Sequence, residues 1–269
     1  MAVLLCIPVA HAMADQPLWE AGAGIAAVDF PDYRGSNQQQ SYILPIPYFV
    51  YRGEFLKIER EKISGLLLKR DKAELDISVN GTVPVKSRDN QARTDMPDID
   101  PTLEIGPLLN LSLFRSLDRD MNLDLRLPLR PSFASNFSSI KNVGWLFQPQ
   151  LNLDVRNIPG MISWNLGFLA GPIFADARYH QYFYGVDPLY ATPSRPAYQA
   201  RGGYAGAQFI SALSKRFPNY WVGAFLKLDT LQDAVFADSP LVKSKTNISA
   251  GFAISWILNK SQTMVKDDE

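Results

Sequence analysis

Histidine is the side chain that most often serves as a general base near neutral pH, and only two are present among the 269 residues. His11 lies in an apolar N-terminal segment, so His180, in a tyrosine-rich stretch, is the one candidate base. A base needs a positioned nucleophile or carboxylate. Asp176 and Ser163 are available, but no motif joins them to His180. We therefore predict a histidine packed among tyrosines, no catalytic residue and no enzymatic activity.

Metal and cofactor sites have equally little support in the sequence. A single imidazole cannot build a histidine-based metal site, and the only cysteine, Cys6, lies in the N-terminal apolar segment. Asp95, Asp98 and Asp100 are a conceivable calcium set, but solvated loop carboxylates or turn caps explain them better. A glycine-rich phosphate loop is also missing. The sequence predicts no metal and no cofactor.

The strongest pattern is structural, an alternation of apolar and polar residues. Residues 122–130 read Asn-Leu-Asp-Leu-Arg-Leu-Pro-Leu-Arg, with leucine at every odd position. Successive side chains of a strand point to opposite faces, so this strand has one apolar and one polar face. In a soluble sandwich the apolar faces would meet in a core, whereas in a membrane barrel they would contact lipid and the polar faces would line a lumen.

Strand length distinguishes these two architectures. About 12 strand-like runs, most of roughly 9–13 residues, follow one another: 18–28, 41–51, 55–60, 65–70, 73–83, 102–113, 122–130, 145–156, 162–174, 203–213, 220–229 and 246–258. Soluble strands average about 5–6 residues and tilted membrane strands need about 9–11. Aromatic residues near strand ends, such as Trp145 and Trp256, fit interfacial girdles. The fold class predicted is all-β, a transmembrane antiparallel up-and-down β-barrel of 10–12 strands.

Prolines inside the runs conflict with a closed barrel, because proline cannot donate to the hydrogen-bond ladder. They are Pro45, Pro47, Pro107, Pro128, Pro149 and Pro172. We expect strand ends or bulges at these positions.

The N-terminus resembles an export signal. Residues 2–10 are almost wholly apolar, and Ala10-His11-Ala12 or Ala12-Met13-Ala14 offers a small-x-small cleavage site, although a basic n-region is missing. A buried N-terminal strand is the alternative. We expect a signal peptide at 1–14, a barrel at 15–258 and a polar tail at 259–269. The mature chain would then contain no cysteine.

Composition excludes some functional classes. Lys+Arg and Asp+Glu both number 27, and a zero net charge argues against a nucleic-acid partner. Hydrophobic residues make up 46%, which indicates an ordered protein. A mean hydropathy of −0.10 is low for a helical membrane protein but ordinary for a barrel.

The polar strand faces would line the lumen. They contain Asp76, Glu104, Asp124, Arg126, Arg130, Asp154 and Arg156. Mixed signs favour cross-strand ion pairs that brace a plugged, rigid barrel, with a small polar pore as the alternative. The connection at 177–202, which is rich in tyrosine and proline, would either fold inward as a constriction or outward as a contact surface.

Several segments resemble the MltA-interacting protein/OmpV family of Gram-negative outer-membrane proteins. The segments are Asp32-Tyr33-Arg34-Gly35-Ser36, 44–53 (LPIPYFVYRG), 96–107 (MPDIDPTLEIGP), 182–186 (YFYGV), 195–198 (RPAY) and 202–204 (GGY). They occur in family order and include several of the in-strand prolines. One departure is the mostly polar stretch after Trp256, because such barrels usually end on an aromatic residue in the last strand.

This resemblance implies a location in the cell outer membrane, in contact with its lipid. It also implies a scaffold role in peptidoglycan synthesis and hydrolysis, with a murein transglycosylase and a murein synthase as partners. A small-solute, porin-like channel is the alternative, and a lipid- or peptidoglycan-acting enzyme is a weaker third. The family brings no agreed functional residues, so none is transferred to this chain.

Overall fold

The computed structural model describes residues 16–52, 56–58, 63–65, 68–70, 72–118, 120–136, 138–158, 160–161 and 163–265. The expected signal peptide, 1–14, lies outside these residues. One α-helix, α1 (Ala177–Tyr184), and three short 3-10 helices (Ser87–Asp89, Gln91–Arg93 and Pro188–Tyr190) occur in the described chain. None of its helices is long and apolar enough to cross a membrane.

Strands make up most of the described structure. They are β1 (Gln16–Pro17), β2 (Trp19–Pro31), β3 (Gln39–Arg52), β4 (Leu56–Ile58), β5 (Ile63–Gly65), β6 (Leu68–Arg70), β7 (Ala73–Thr82), β8 (Thr102–Arg115), β9 (Met121–Ser135), β10 (Ile140–Phe147), β11 (Gln150–Val155), β12 (Trp164–Ala175), β13 (Gly203–Arg216), β14 (Tyr220–Thr230), β15 (Thr246–Lys260) and β16 (Met264–Val265).

The strand order is that of an up-and-down barrel. Neighbours in sequence pair antiparallel from β2 to β5 and from β6 to β15, and β15 returns to pair with β2. The two ends of this path, β5 and β6, are separated along the chain only by residues 66–67. Because β10 and β11 both pair with β9 and β12, these two strands share one position in the wall. The described strands form a nearly all-β, antiparallel sheet in sequence order, and the predicted fold class is confirmed.

The distribution of side chains is inverted relative to a soluble protein. Polar side chains buried on the inner face include Glu20, Asp76, Glu104, Asn110, Asp124, Arg130, Asn152, Asp229 and Asn247. Large apolar side chains exposed on the outer face include Ile43, Phe49, Leu103, Leu109, Leu129, Leu151, Phe174, Leu226, Ile248 and Phe252. Trp145 and Trp256 are also about half exposed on the outer face. An apolar surface of this extent is that of a lipid-facing barrel.

The in-strand prolines lie where the ladder is incomplete. β3 pairs with β2 along its length but with β4 only at Tyr51 and Arg52, so Pro45 and Pro47 lack a second partner strand among the described residues. The β8–β9 ladder is interrupted between Glu104 and Leu108, which frees the backbone at Pro107. Pro149 separates β10 from β11, and Pro172 adjoins a register shift against β13. Irregular pairing therefore accommodates the missing donors.

The two ends of the barrel differ. The connections from β8 to β9, from β11 to β12 and from β13 to β14 are short, and the strand ends that they join lie at the same end as the β1–β16 pair, which we call the turn end. The longer connections 32–38, 83–101, 176–202 and 231–245 lie at the opposite end, and together we call them the cap.

Candidate functional site

An apolar core holds the cap together. Leu231, Phe236 and Leu241 are fully buried. The Phe236 ring stacks on Tyr184 of α1, with ring centroids 3.7 Å apart. Ile173, an inward-facing residue of the β12 wall, belongs to the same buried cluster, so the loops pack into the mouth of the barrel. The 177–202 connection thus takes the inward course of the two that the sequence left open.

Hydrogen bonds tie the cap connections to one another. The Tyr184 hydroxyl donates to the Arg34 carbonyl (2.9 Å), and the Tyr33 hydroxyl donates to the Leu241 carbonyl (2.8 Å). Arg93 donates to the Phe183 carbonyl (3.1 Å), and Arg195 donates to the Thr94 carbonyl (2.7 Å). All four connections are therefore linked, and the cap is a folded unit.

Ion pairs continue from the cap down the inner wall. Arg34 Nε lies 2.9 Å from Asp229 Oδ1, and Lys227 Nζ lies 3.0 Å from the other oxygen of that carboxylate. The Tyr179 hydroxyl of α1 donates to Glu104 in β8 (3.3 Å). These contacts anchor the cap to strands on different sides of the barrel.

The strand residues predicted to line the lumen lie on the inner face, whereas Arg156 lies outside the strands, after β11. Glu104 is paired with Arg130 (3.3 Å), and Asp124 with Arg115 (2.6 Å). Arg130 also donates to Ser78 and Gln148. Arg126 and Asp154 approach loosely, at 3.9 Å, while Asp76 is buried in β7 and Arg156 follows β11. Cross-strand bracing is therefore present on the inner wall.

A second ionic cluster, near the turn end, was not predicted from the sequence. Glu20 is fully buried and accepts from Arg216 (2.7 Å), Arg52 (3.4 Å) and the Tyr48 hydroxyl (2.9 Å). The alternation predicts that Glu20 shares a strand face with Gly22 and Gly24. Arg216, however, is far away in the sequence and becomes a neighbour only through the return of β15 to β2.

The structure separates the residues weighed for catalysis. His180 is fully buried in α1, with Nδ1 2.6 Å from the Arg201 carbonyl oxygen and no partner for Nε2 in the described chain. Asp176 caps α1 by accepting from the Tyr179 amide (2.8 Å). Ser163 precedes β12 and lies at the turn end, whereas His180 lies in the cap. No nucleophile–base arrangement connects these three residues.

Asp98, one of the three acidic residues considered as a calcium set, has ordinary loop contacts. Its carboxylate accepts from the Ser87 amide (2.8 Å) and pairs with Lys86 (3.0 Å), and these contacts lower the pKa of the Asp98 carboxyl. Across the ranges that the structure describes, no group of three or more His, Cys, Asp or Glu side chains could hold a metal ion.

Acidification is expected to loosen the cap through His180. Burial lowers the pKa of His180 below its ordinary value of 6.5, the Arg34 charge acts in the same direction, and the Arg201 carbonyl and Asp176 oppose it. Between the two pKa values the unfolded chain binds a proton that the folded cap does not, so stability falls as the pH drops below about 6.5. Hydrogen exchange of the α1 amides at pH 8 and pH 5 checks this. His180→Gln should flatten the pH dependence, and an unchanged dependence would refute the role of His180.

The lumen contains a cavity between the cap and the turn end. Its volume is about 400 Å³. Its walls include Val28, Leu169, Ile210, Trp221 and Phe225 on one side and Arg126, Asn152 and Asp154 on the other. A smaller cavity of about 70 Å³ lies within the cap, against His180 and Phe236.

Comparison with known proteins gives a family and distant structural neighbours. The family model described as "MltA-interacting protein MipA" matches residues 23–258. No curated protein matches the sequence. An outer membrane channel from Pseudomonas putida F1 is similar at 12% identity and TM-score 0.46, covering 93% of this chain and 99% of its own. The NanC porin is similar at 7% identity and TM-score 0.40, covering 88% and 100%. On the match over residues 23–258, the chain belongs to the MltA-interacting protein MipA family.

Proposed function

We propose that the protein is a non-enzymatic scaffold of the outer membrane that binds peptidoglycan-processing enzymes. The partner proposed first is a murein transglycosylase of the MltA kind, which the family description names, and a murein synthase is proposed as the second. The observation that supports a scaffold over a channel is the folded cap, because Phe236, Leu231 and Tyr184 are buried in the barrel mouth.

The proposed orientation follows from the two barrel ends. Outer-membrane barrels have short periplasmic turns and longer extracellular loops. By this rule the cap faces the exterior, and the turn end, with both described chain ends, faces the periplasm and the cell wall. A partner acting on peptidoglycan would therefore meet the turn end.

The turn end offers apolar side chains beyond the strand ends. Leu117 is fully exposed at the tip of the 116–120 turn, and Met161 and Met264 are also exposed. Charged groups also lie at this end, including Asp118, which follows Leu117 in the sequence, and Lys215, whose ammonium lies over the Trp164 ring. Exposed apolar residues with a polar rim are typical of protein-binding surfaces.

Leu117→Asp is expected to weaken capture of the transglycosylase. A charge in the contact would lower affinity roughly tenfold or more, in line with the loss of a central contact residue. The measurement is retention of a purified MltA-type transglycosylase on the immobilised full chain in lipid nanodiscs.

Leu189→Asp is the matched control, because Leu189 is equally apolar and 81% exposed but lies in the cap. Retention by this variant should equal that of the unmodified protein. Retention no greater than on an unrelated barrel, or equal losses in both variants, would contradict the proposal.

A porin-like channel is the second candidate, and the 400 Å³ cavity favours it. Conduction would require the cap to move aside.

A further inference from the structure

We infer that the luminal cavity binds a small amphipathic ligand with a planar aromatic body and an anionic head. Volumes of 300–1,000 Å³ with mostly apolar walls and a few placed polar groups are usual for ligand sites. The cavity volume of about 400 Å³ lies within this range. The ligand site lies inside the lumen, whereas the proposed scaffold function uses the exposed surface of the turn end.

Two glycines shape the apolar wall. The Trp221 ring lies against Gly223, and the Phe225 ring lies against Gly251, in places where any Cβ atom would collide with the ring. Both rings thus lie along the wall instead of filling the lumen. Two aromatic faces presented in this way suit the stacking of a planar apolar group.

Small residues keep the space between the walls open. Ala26, Gly167, Ala212 and Ala253 line the cavity where the inward positions of the other half of the barrel bear larger polar groups. Interiors are normally packed to high density, with few voids larger than a water molecule. A void of this volume, bounded by flattened aromatic rings, is more consistent with a site than with a packing defect.

The polar side of the cavity contains Arg126, a cation with few hydrogen-bond partners in the described chain. Arg126 Nε has no hydrogen-bond partner in the described chain, and its Nη2 is 3.9 Å from Asp154. Asp154 accepts a 2.6 Å hydrogen bond from Asn152, which already satisfies one of its oxygens. Arg130, four residues further along β9 toward the cap, bonds to three partners. Of these two luminal arginines of β9, Arg126 is therefore the one with donors to spare, and a carboxylate is the group it binds best.

Access is proposed from the turn end, because the cap is packed across the other mouth. The cavity extends toward that end at Asp154, Ser214 and Trp221, which are near the turn-end termini of β11, β13 and β14.

The test is calorimetric titration of the full chain in zwitterionic lipid nanodiscs with 2-naphthoate and with the neutral 2-naphthalenemethanol. Ala253→Phe fills the cavity, whereas Ala250→Phe, on the same strand, adds an equal ring to the exposed outer face. Arg126→Met removes the cation without changing the aromatic wall.

We expect saturable binding of 2-naphthoate to the unmodified protein. Ala253→Phe should weaken this binding at least about tenfold, and Ala250→Phe should leave it unchanged. Arg126→Met should weaken 2-naphthoate about tenfold or more while leaving 2-naphthalenemethanol unchanged, because only the anion uses the guanidinium. No saturable binding, equal effects of the two phenylalanine variants, or equal effects of Arg126→Met on both probes would overturn the proposal.

Discussion

Replacing Arg130 by methionine is expected to lower the free energy of unfolding of the barrel by roughly 3–5 kcal/mol. Glu104 is only 1% exposed, and Arg130 is its ion-pair partner at 3.3 Å. Removing the guanidinium leaves a buried carboxylate without its counter-charge and takes bonds away from Ser78 and Gln148. Asn80 and Tyr179 also donate to Glu104, so the loss extends to the contact between the wall and α1.

Denaturant unfolding in lipid vesicles, followed by tryptophan fluorescence, measures this effect. Adding Glu104→Gln to Arg130→Met should recover part of the loss, because the buried charge is gone. Lys86→Met is the control, since the Lys86–Asp98 pair is solvent-exposed on both sides and should cost less than about 1 kcal/mol. A loss below about 1 kcal/mol for Arg130→Met would show that the inner-wall pair does not brace the barrel.

Truncating Phe236 to alanine is expected to destabilise the cap by about 3–5 kcal/mol, the usual range for a fully buried phenylalanine. The ring stacks on Tyr184 and contacts His180, with centroids 3.7 Å and 4.6 Å away. Its loss removes the centre of the cluster that links the 231–245 connection to α1. The cap should then be cleaved faster in limited proteolysis, whereas the strands remain protected.

Leu189→Ala provides the control for this prediction, because the side chain lies in the same cap but is 81% exposed. Its proteolysis pattern should match that of the unmodified protein. Equal resistance of the Phe236→Ala and Leu189→Ala variants to protease would mean that the cap is held by something other than its apolar core.

The wall of the barrel could be predicted from local pattern because strand side chains alternate. The leucines of 122–130 and the intervening Asp124, Arg126 and Arg130 already sort to opposite faces. The remaining question was whether the leucines contact lipid or a protein core, and strand length favoured lipid. The same rule placed Glu104 and Asp154 in the lumen, as the structure confirms.

Pairing partners could not be predicted, because they depend on register and closure. The ion pairs of Arg34 with Asp229 and of Arg216 with Glu20 each join residues about 195 positions apart. The two residues of each pair come into contact only because β15 pairs with β2. Bulges shift the register further, as between Ser112 and Phe114.

The structure of the cap could not be predicted from the sequence for a different reason. Its connections show no periodicity, and their core arises from contacts among four segments that alternation does not relate. Tyrosine density marked 177–202 as a contact surface. It could not tell whether the partner was another protein or the loop's own barrel.

The cap packs across one mouth of the barrel, and conductance across a planar bilayer tests whether it closes the lumen. The purified unmodified protein should show no channel events over a range of voltages, whereas Phe236→Ala should show discrete openings. Steady conductance of the unmodified protein, equal to that of Phe236→Ala, would show that the cap leaves the lumen open and would favour the channel.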